Sequence, residues 1–176
     1  MSESTAEHRR DAPTSLAVAV VTVSDTRTLA DDHSGALILD HLGRAGHRVA
    51  DRRIVRDEPD QIGPLLDDYA ARPGLDAVLL TGGTGISVRD RTYETIAGRL
   101  TRPLPGFGEL FRMLSYAEIG PACLLSRAVG GLMGRLVVLS MPGSRAAVEL
   151  AMARIIVPEL PHIVREARRG GPADLS

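Results

Sequence analysis

Thr81-Gly82-Gly83-Thr84-Gly85 is the part of this sequence best suited to hold an anion. Glycines directly after an apolar run permit backbone angles that other residues avoid, and they let a ligand approach the main chain. Successive N–H groups in such a turn form an anion-binding concavity, and Thr81 and Thr84 add hydroxyl donors. The same residues also suit a tight strand-to-helix turn. The spacing is neither the dinucleotide fingerprint G-x-G-x-x-G nor the Walker pattern. The chain contains no lysine, so a P-loop lysine and a lysyl-nucleotide intermediate are both excluded.

Carboxylates stand where such a loop would need them. Asp25 follows the first apolar run, Asp57 the second, and Asp90 comes shortly after the glycines. Ligands of open parallel sheets sit at the carboxyl ends of the strands. Carboxylates gathered there beside phosphates would hold Mg²⁺, which takes one or two of them plus substrate oxygens. Singly, each is an ordinary cap or loop residue.

Other segments are less specific. Pro105-Gly106-Phe107-Gly108-Glu109 reads as a rigid loop opening a helix, with Phe107 as a packing wedge. Ser126-Arg127 and Pro142-Gly143-Ser144 follow later apolar segments, and Ser144 also suits a helix N-cap. The five histidines lack metal-ligand spacing with one another or with Cys123, which argues against structural zinc. Cys123, beside two leucines, reads as a buried small hydrophobe. Ser24 and Ser126 lack the G-x-S-x-G grammar of a hydrolase nucleophile.

Alternating strands and helices must position these groups. Residues 16–23 form a continuous β-prone run ending at Ser24-Asp25. Ser34 is the expected N-cap of a helix to about Arg44, stopped by Gly46. Residues 47–55 read as a less buried strand, and Pro59 opens a helix to about Ala71. Residues 76–80 form another buried strand. Helices are expected over 92–100 and 109–118, and short strands over 126–130 and 135–140 with Gly130-Gly131 between them. A long helix then runs from Ser144 to about Arg168. The pattern predicts an α/β three-layer sandwich, with a mostly parallel sheet and helices on both faces.

The chain of 176 residues suits one domain, 15–169, between a disordered leader (1–14) and a flexible tail (170–176). The leader lacks the apolar core of a signal peptide. A net charge of -1 and 3% aromatic residues argue against a nucleic-acid surface. No apolar run is long enough to span a membrane. The protein reads as soluble and cytoplasmic.

Taken together, Thr22-Val23-Ser24-Asp25, the stretch 32–35, Asp57-Glu58, the glycine loop, Arg89-Asp90, Pro105-Gly106-Phe107-Gly108-Glu109, Leu125-Ser126-Arg127 and Pro142-Gly143-Ser144 resemble the MoaB/Mog family in content and order. The resemblance covers roughly 16–168, and Phe111-Arg112-Met113-Leu114-Ser115-Tyr116 looks like the MoaB branch. It implies a molybdopterin-binding fold and a homo-trimer or homo-hexamer. It also implies Mg²⁺ with ATP as co-substrate, and adenylyl-molybdopterin and pyrophosphate as products. The family's essential acidic residues match Asp57 and Asp90, also the metal-binding candidates. Its nucleotide site matches Thr81, Gly82, Gly83, Thr84 and Gly85, with Pro142, Gly143 and Ser144 nearby. Asp25, Glu109, Ser126 and Arg127 are candidates on the substrate side. Other molybdenum-cofactor synthesis proteins are possible partners. Where the family usually continues Val-Thr-Pro-Glu, this chain has Arg91-Thr92-Tyr93-Glu94, which predicts a looser helix start. Two other readings stay open: a non-catalytic molybdopterin-binding or scaffold member, and a nucleotide-binding α/β protein of another pathway.

Overall fold

Consecutive residues of a strand face opposite sides, and the central strands are apolar at nearly every position, so the sheet must be covered twice. The computed structural model, which describes residues 13–169, is built that way. In chain order the strands are β1 (Ala17–Val23), β2 (Arg48–Val55), β3 (Ala77–Thr81), β4 (Arg102–Pro103), β5 (Val129–Met133) and β6 (Leu136–Met141). The helices are α1 (His33–Arg44), α2 (Pro59–Ala71), α3 (Thr92–Ala97), α4 (Pro105–Ile119), α5 (Arg145–Ala151) and α6 (Val157–Arg168). Across the sheet the strands lie in the order β2-β1-β3-β6-β5-β4. Val18, Val20, Leu79 and Leu139 pack with α1, α4, α5 and α6 on one face. Ala19, Val21, Leu80 and Val138 pack with α2 and α3 on the other.

The three-layer expectation holds, with corrections. β1, β2, β3 and β6 are parallel, but β5 runs antiparallel to β6 and β4 antiparallel to β5. The strand expected at 126–130 lies at Val129–Met133, so Gly130 and Gly131 are strand residues and the hairpin turns at Gly134-Arg135. Pairing decides this register: Leu139 and Phe107 press on Gly130, and Arg102 and Pro103 press on Gly131, where a side chain would not fit. α3 ends at Ala97, short of Leu100. Pro105 to Glu109 is the first turn of α4 rather than a loop before it.

The cap of α1 is Asp32, whose carboxylate accepts from the Gly35 amide, from Thr22 Oγ1 and from Arg52. Ser34 already lies in the helix, and its hydroxyl donates to the Gly143 carbonyl at 2.8 Å. The long C-terminal helix carries a π-turn, Met152–Ile156, ahead of Pro158. A proline lacks the N–H for the preceding turn and crowds its carbonyl, and the wider turn relieves both.

The expected leader lies outside the described residues except Pro13 and Thr14, and the expected tail lies wholly outside them. Among the described residues no helix is long and apolar enough to cross a membrane.

Candidate functional site

The glycine loop leaves β3 where the connections diverge, with β1 and β2 on one side and β6 on the other. Such a switch point opens a crevice at the carboxyl ends of the strands. Gly82 has φ +102°, and a Cβ there would collide with the Val23 carbonyl. Gly83 has φ +65°, and a Cβ would overlap Thr92 Oγ1 and press on the Asp57 carboxylate. Both positions therefore require glycine, for backbone angle and for space. Gly82 N–H donates to the Met141 carbonyl at 3.1 Å, and Thr81 Oγ1 to that of Pro142 at 3.2 Å. The Gly82 backbone also lies against Gly143. The sequence-selected groups Thr81 to Gly85 and Pro142 to Ser144 thus share one rim. Ser144 itself caps α5, accepting from the Ala147 amide.

Asp57 is buried beneath this loop, at 7% exposure. Its carboxylate accepts from Thr92 Oγ1 at 2.8 Å and from the Arg91 amide at 3.2 Å, and so caps α3 from a distant part of the chain. Among the described residues no cationic side chain is in ion-pair contact with it; Arg89, bound to Asp25, acts on it at longer range. Burial pushes its pKa up, and the nearby charge of Asp90 adds to that, while the two hydrogen bonds pull it down. Asp90 accepts from the Ser87 amide at 2.9 Å and presses on Gly85. The two carboxylates chosen from the sequence therefore flank the glycine loop. Asp25 stands further out and receives both Nε and Nη2 of Arg89, at 2.9 and 2.7 Å.

Arg127 reaches the rim because β5 is antiparallel: its first residue, Val129, pairs with Ser140 near the carboxyl end of β6. The guanidinium donates to the carbonyls of Thr84, Gly85 and Asp90 and to the Glu94 carboxylate. It also lies 4.9 Å from the Tyr93 ring centroid. The bond from Arg127 holds the Glu94 carboxyl below its usual range. Ser126 is half-buried beside it, and its amide donates to the Cys123 carbonyl. At the start of α3, where a looser turn is expected, Asp57 bonds the first turn and Arg127 lies over Tyr93.

Glu109 is exposed on α4 and borders a cavity of about 320 Å³ shared with Tyr93, Leu104, Arg112 and Val129. Cys123 is buried, as its apolar neighbours implied. Thr92, Tyr93 and Arg89 were not chosen as site residues from the sequence. Their roles rest on long-range contacts, and the only local signals were a threonine at a helix start and the Arg89-Asp90 pair.

The cation most consistent with this rim is one that brings ligands of its own. Among the described residues no group of three His, Cys, Asp or Glu side chains could hold a metal ion. Asp57 and Asp90 are the residues at this rim that could hold Mg²⁺, provided phosphate oxygens completed its ligands.

Residues 19–162 match the family model MoCF_biosynth, described as "Probable molybdopterin binding domain". A molybdenum cofactor biosynthesis protein B from Halalkalibacterium halodurans is 50% identical over 161 residues, covering 91% of this chain and 95% of that protein. A crystal structure of a molybdenum cofactor biosynthesis protein B superposes with a TM-score of 0.87 at 48% identity, covering 90% of this chain and 99% of the other. The tungsten cofactor synthesizing protein MoaB of Pyrococcus furiosus gives 0.79 at 38% identity, covering 89% and 99%.

Proposed function

The chain belongs to the MoaB/Mog family of molybdopterin-binding domains, and on that premise we propose that it adenylylates molybdopterin with Mg²⁺-ATP during molybdenum-cofactor synthesis. In this reaction a phosphate oxygen of molybdopterin attacks the α-phosphorus of ATP. The bond from that phosphorus to the bridging oxygen of the β-phosphate breaks, and pyrophosphate leaves. Such transfers depend on positioning and charge neutralisation.

The observation that carries the reading is Asp57. A buried carboxylate with no cation in ion-pair contact and only Arg89, itself bound to Asp25, within electrostatic reach, next to a second carboxylate and a glycine loop at the switch point, suits an added positive charge. Asp57 and Asp90 would hold Mg²⁺, which when bound neutralises charge on the phosphates. The glycine-loop amides receive phosphate oxygens, and Pro142 to Ser144 wall the loop from the β6 side. Glu109 faces the pterin in the cavity beside α4, where a carboxylate suits the ring's amino and N–H donors.

The test is product formation from purified molybdopterin, ATP and Mg²⁺, with titration of each ligand alone. Pterin binding without turnover would replace the enzyme with a scaffold. Absence of pterin binding would overturn the pathway.

Assembly belongs to the same proposal. The α4 residues Leu110, Met113, Tyr116 and Ile119 are exposed, and Leu124 and Leu125 continue the apolar strip, while Phe111 faces the core. A homo-trimer or homo-hexamer would cover that strip. Light scattering of a stable monomer at micromolar concentration would overturn this.

A further inference from the structure

We infer that Arg127 is a positioning residue that aims the glycine-loop amides at the nucleotide phosphates, with Tyr93 as its clamp. The inference rests on the adenylylation reading and assigns Arg127 to the protein rather than to a ligand.

The argument is peptide geometry. In a trans peptide the carbonyl of one residue and the N–H of the next point in opposite directions. Arg127 draws the carbonyls of Thr84, Gly85 and Asp90 toward its guanidinium. The amides of Gly85, Ile86 and Arg91 must then point the other way. One of these supplies an internal check: the Arg91 amide does point away, onto the Asp57 carboxylate. The Asp90–Arg91 peptide is therefore gripped at both ends, and Arg127 is coupled through it to Asp57. Among the described residues the amides of Gly85 and Ile86 donate to no protein acceptor. Two adjacent outward N–H groups, with a cation behind their peptides, suit a phosphate oxygen.

Only an arginine fits this task. Its planar fork serves three carbonyls and Glu94 at once, whereas an ammonium is a single point of charge. The stack on Tyr93 fixes the plane of the fork.

The experiment uses the full chain with Arg127→Gln, Arg127→Lys and Tyr93→Leu. Its readouts are Mg²⁺-ATP affinity, pyrophosphate affinity, molybdopterin affinity and exchange of the Arg91 amide with solvent. Arg127→Gln should weaken Mg²⁺-ATP and pyrophosphate by about tenfold or more and speed Arg91 exchange similarly, as loss of charge-assisted hydrogen bonds requires. Molybdopterin affinity should stay within about twofold, because the pterin is held elsewhere. Arg127→Lys should not restore the loss, and Tyr93→Leu should show a smaller loss of Mg²⁺-ATP and pyrophosphate affinity, with molybdopterin affinity falling as well because Tyr93 also lines the cavity given to the pterin. If Arg127→Gln does not fold, the other two variants decide the question.

Parent-like ATP affinity and exchange in folded Arg127 variants would overturn the inference. A fall in molybdopterin affinity with ATP affinity intact would also overturn it, because Arg127 would then touch the pterin. A parent that binds pyrophosphate but not ATP removes the adenylylation reading while the Arg127 comparison still decides the inference. A parent that binds neither removes both.

Discussion

Two aspartates at opposite ends of the sheet are almost equally buried, Asp57 at 7% and Asp76 at 8% exposure. Asp76, at the amino end of β3, accepts from the Ala17 amide at 2.8 Å and pairs with Arg168. Asp57, past the carboxyl end of β2, also accepts backbone and side-chain hydrogen bonds, but no cation pairs with it among the described residues; it senses the charge of Asp90, and Arg89 reaches it only at longer range while bound to Asp25. A buried charge costs several kcal/mol unless paired. The fold gives Asp76 a cation in direct contact and gives Asp57 only the longer-range charge of Arg89. Burial therefore does not separate structural from functional carboxylates here; the source of the counter-charge does.

The largest test of this contrast is turnover. Asp57→Asn and Asp90→Asn should each lower the adenylylation rate by roughly thirty- to a thousand-fold, the range for removing charge stabilisation from a transition state. Asp76→Asn, measured per folded molecule in the same assay, should turn over like the parent. Equal losses in all three variants would erase the distinction.

Stability should invert that order. Asp76→Asn should cost about 1–2 kcal/mol by denaturant unfolding, with the half-exposed Arg168 contributing less than a fully buried partner would. Asp57→Asn should cost little or nothing at neutral pH. The sign follows from the raised pKa of Asp57. Folding takes up a proton between the ordinary aspartate value and the raised one, so this group's contribution to stability falls as pH rises through that window. Asparagine cannot titrate. The melting temperature of Asp57→Asn relative to the parent should therefore climb across the window and stay level above it. A gap that shrinks instead would mean that the cap on α3 outweighs the cost of burying the charge.

The smallest effect calibrates the rest. Tyr69, in the last turn of α2, is fully buried, and its hydroxyl donates to Asp51 at 3.1 Å. Tyr69→Phe should lose about 1 kcal/mol, the net worth of one such bond. It should leave turnover and pterin affinity unchanged, since Tyr69 touches none of the rim residues. A change in turnover would show that the amino-end half of the sheet is coupled to the rim.

Much of this was legible in the sequence because it is local. The apolar runs located β1, β3 and β6, Pro59 opened α2 and the glycine cluster marked the loop. What stayed hidden depends on partners far along the chain. Asp32 took the cap expected of Ser34 because Thr22 and Arg52 hold its carboxylate in place. The direction of β5 cannot be read from its own residues, yet it decides where Arg127 stands: in an all-parallel sheet the start of that strand would lie at the opposite rim. The aspartates at the site could be found from their positions after strands, but the lack of a directly paired cation at Asp57, with Arg89 drawn off to Asp25, could not.

The two outer strands end the sheet in different ways. β2 carries Arg48, Asp51, Arg52 and Arg53, so another strand adding there would meet alternating charge. β4 is two residues long, and one of them, Pro103, has no N–H to offer. Neither border is a good template for strand addition, the route by which exposed sheet edges seed fibrils. Copies of this chain at high concentration therefore meet sheet borders that disfavour open-ended growth by strand pairing.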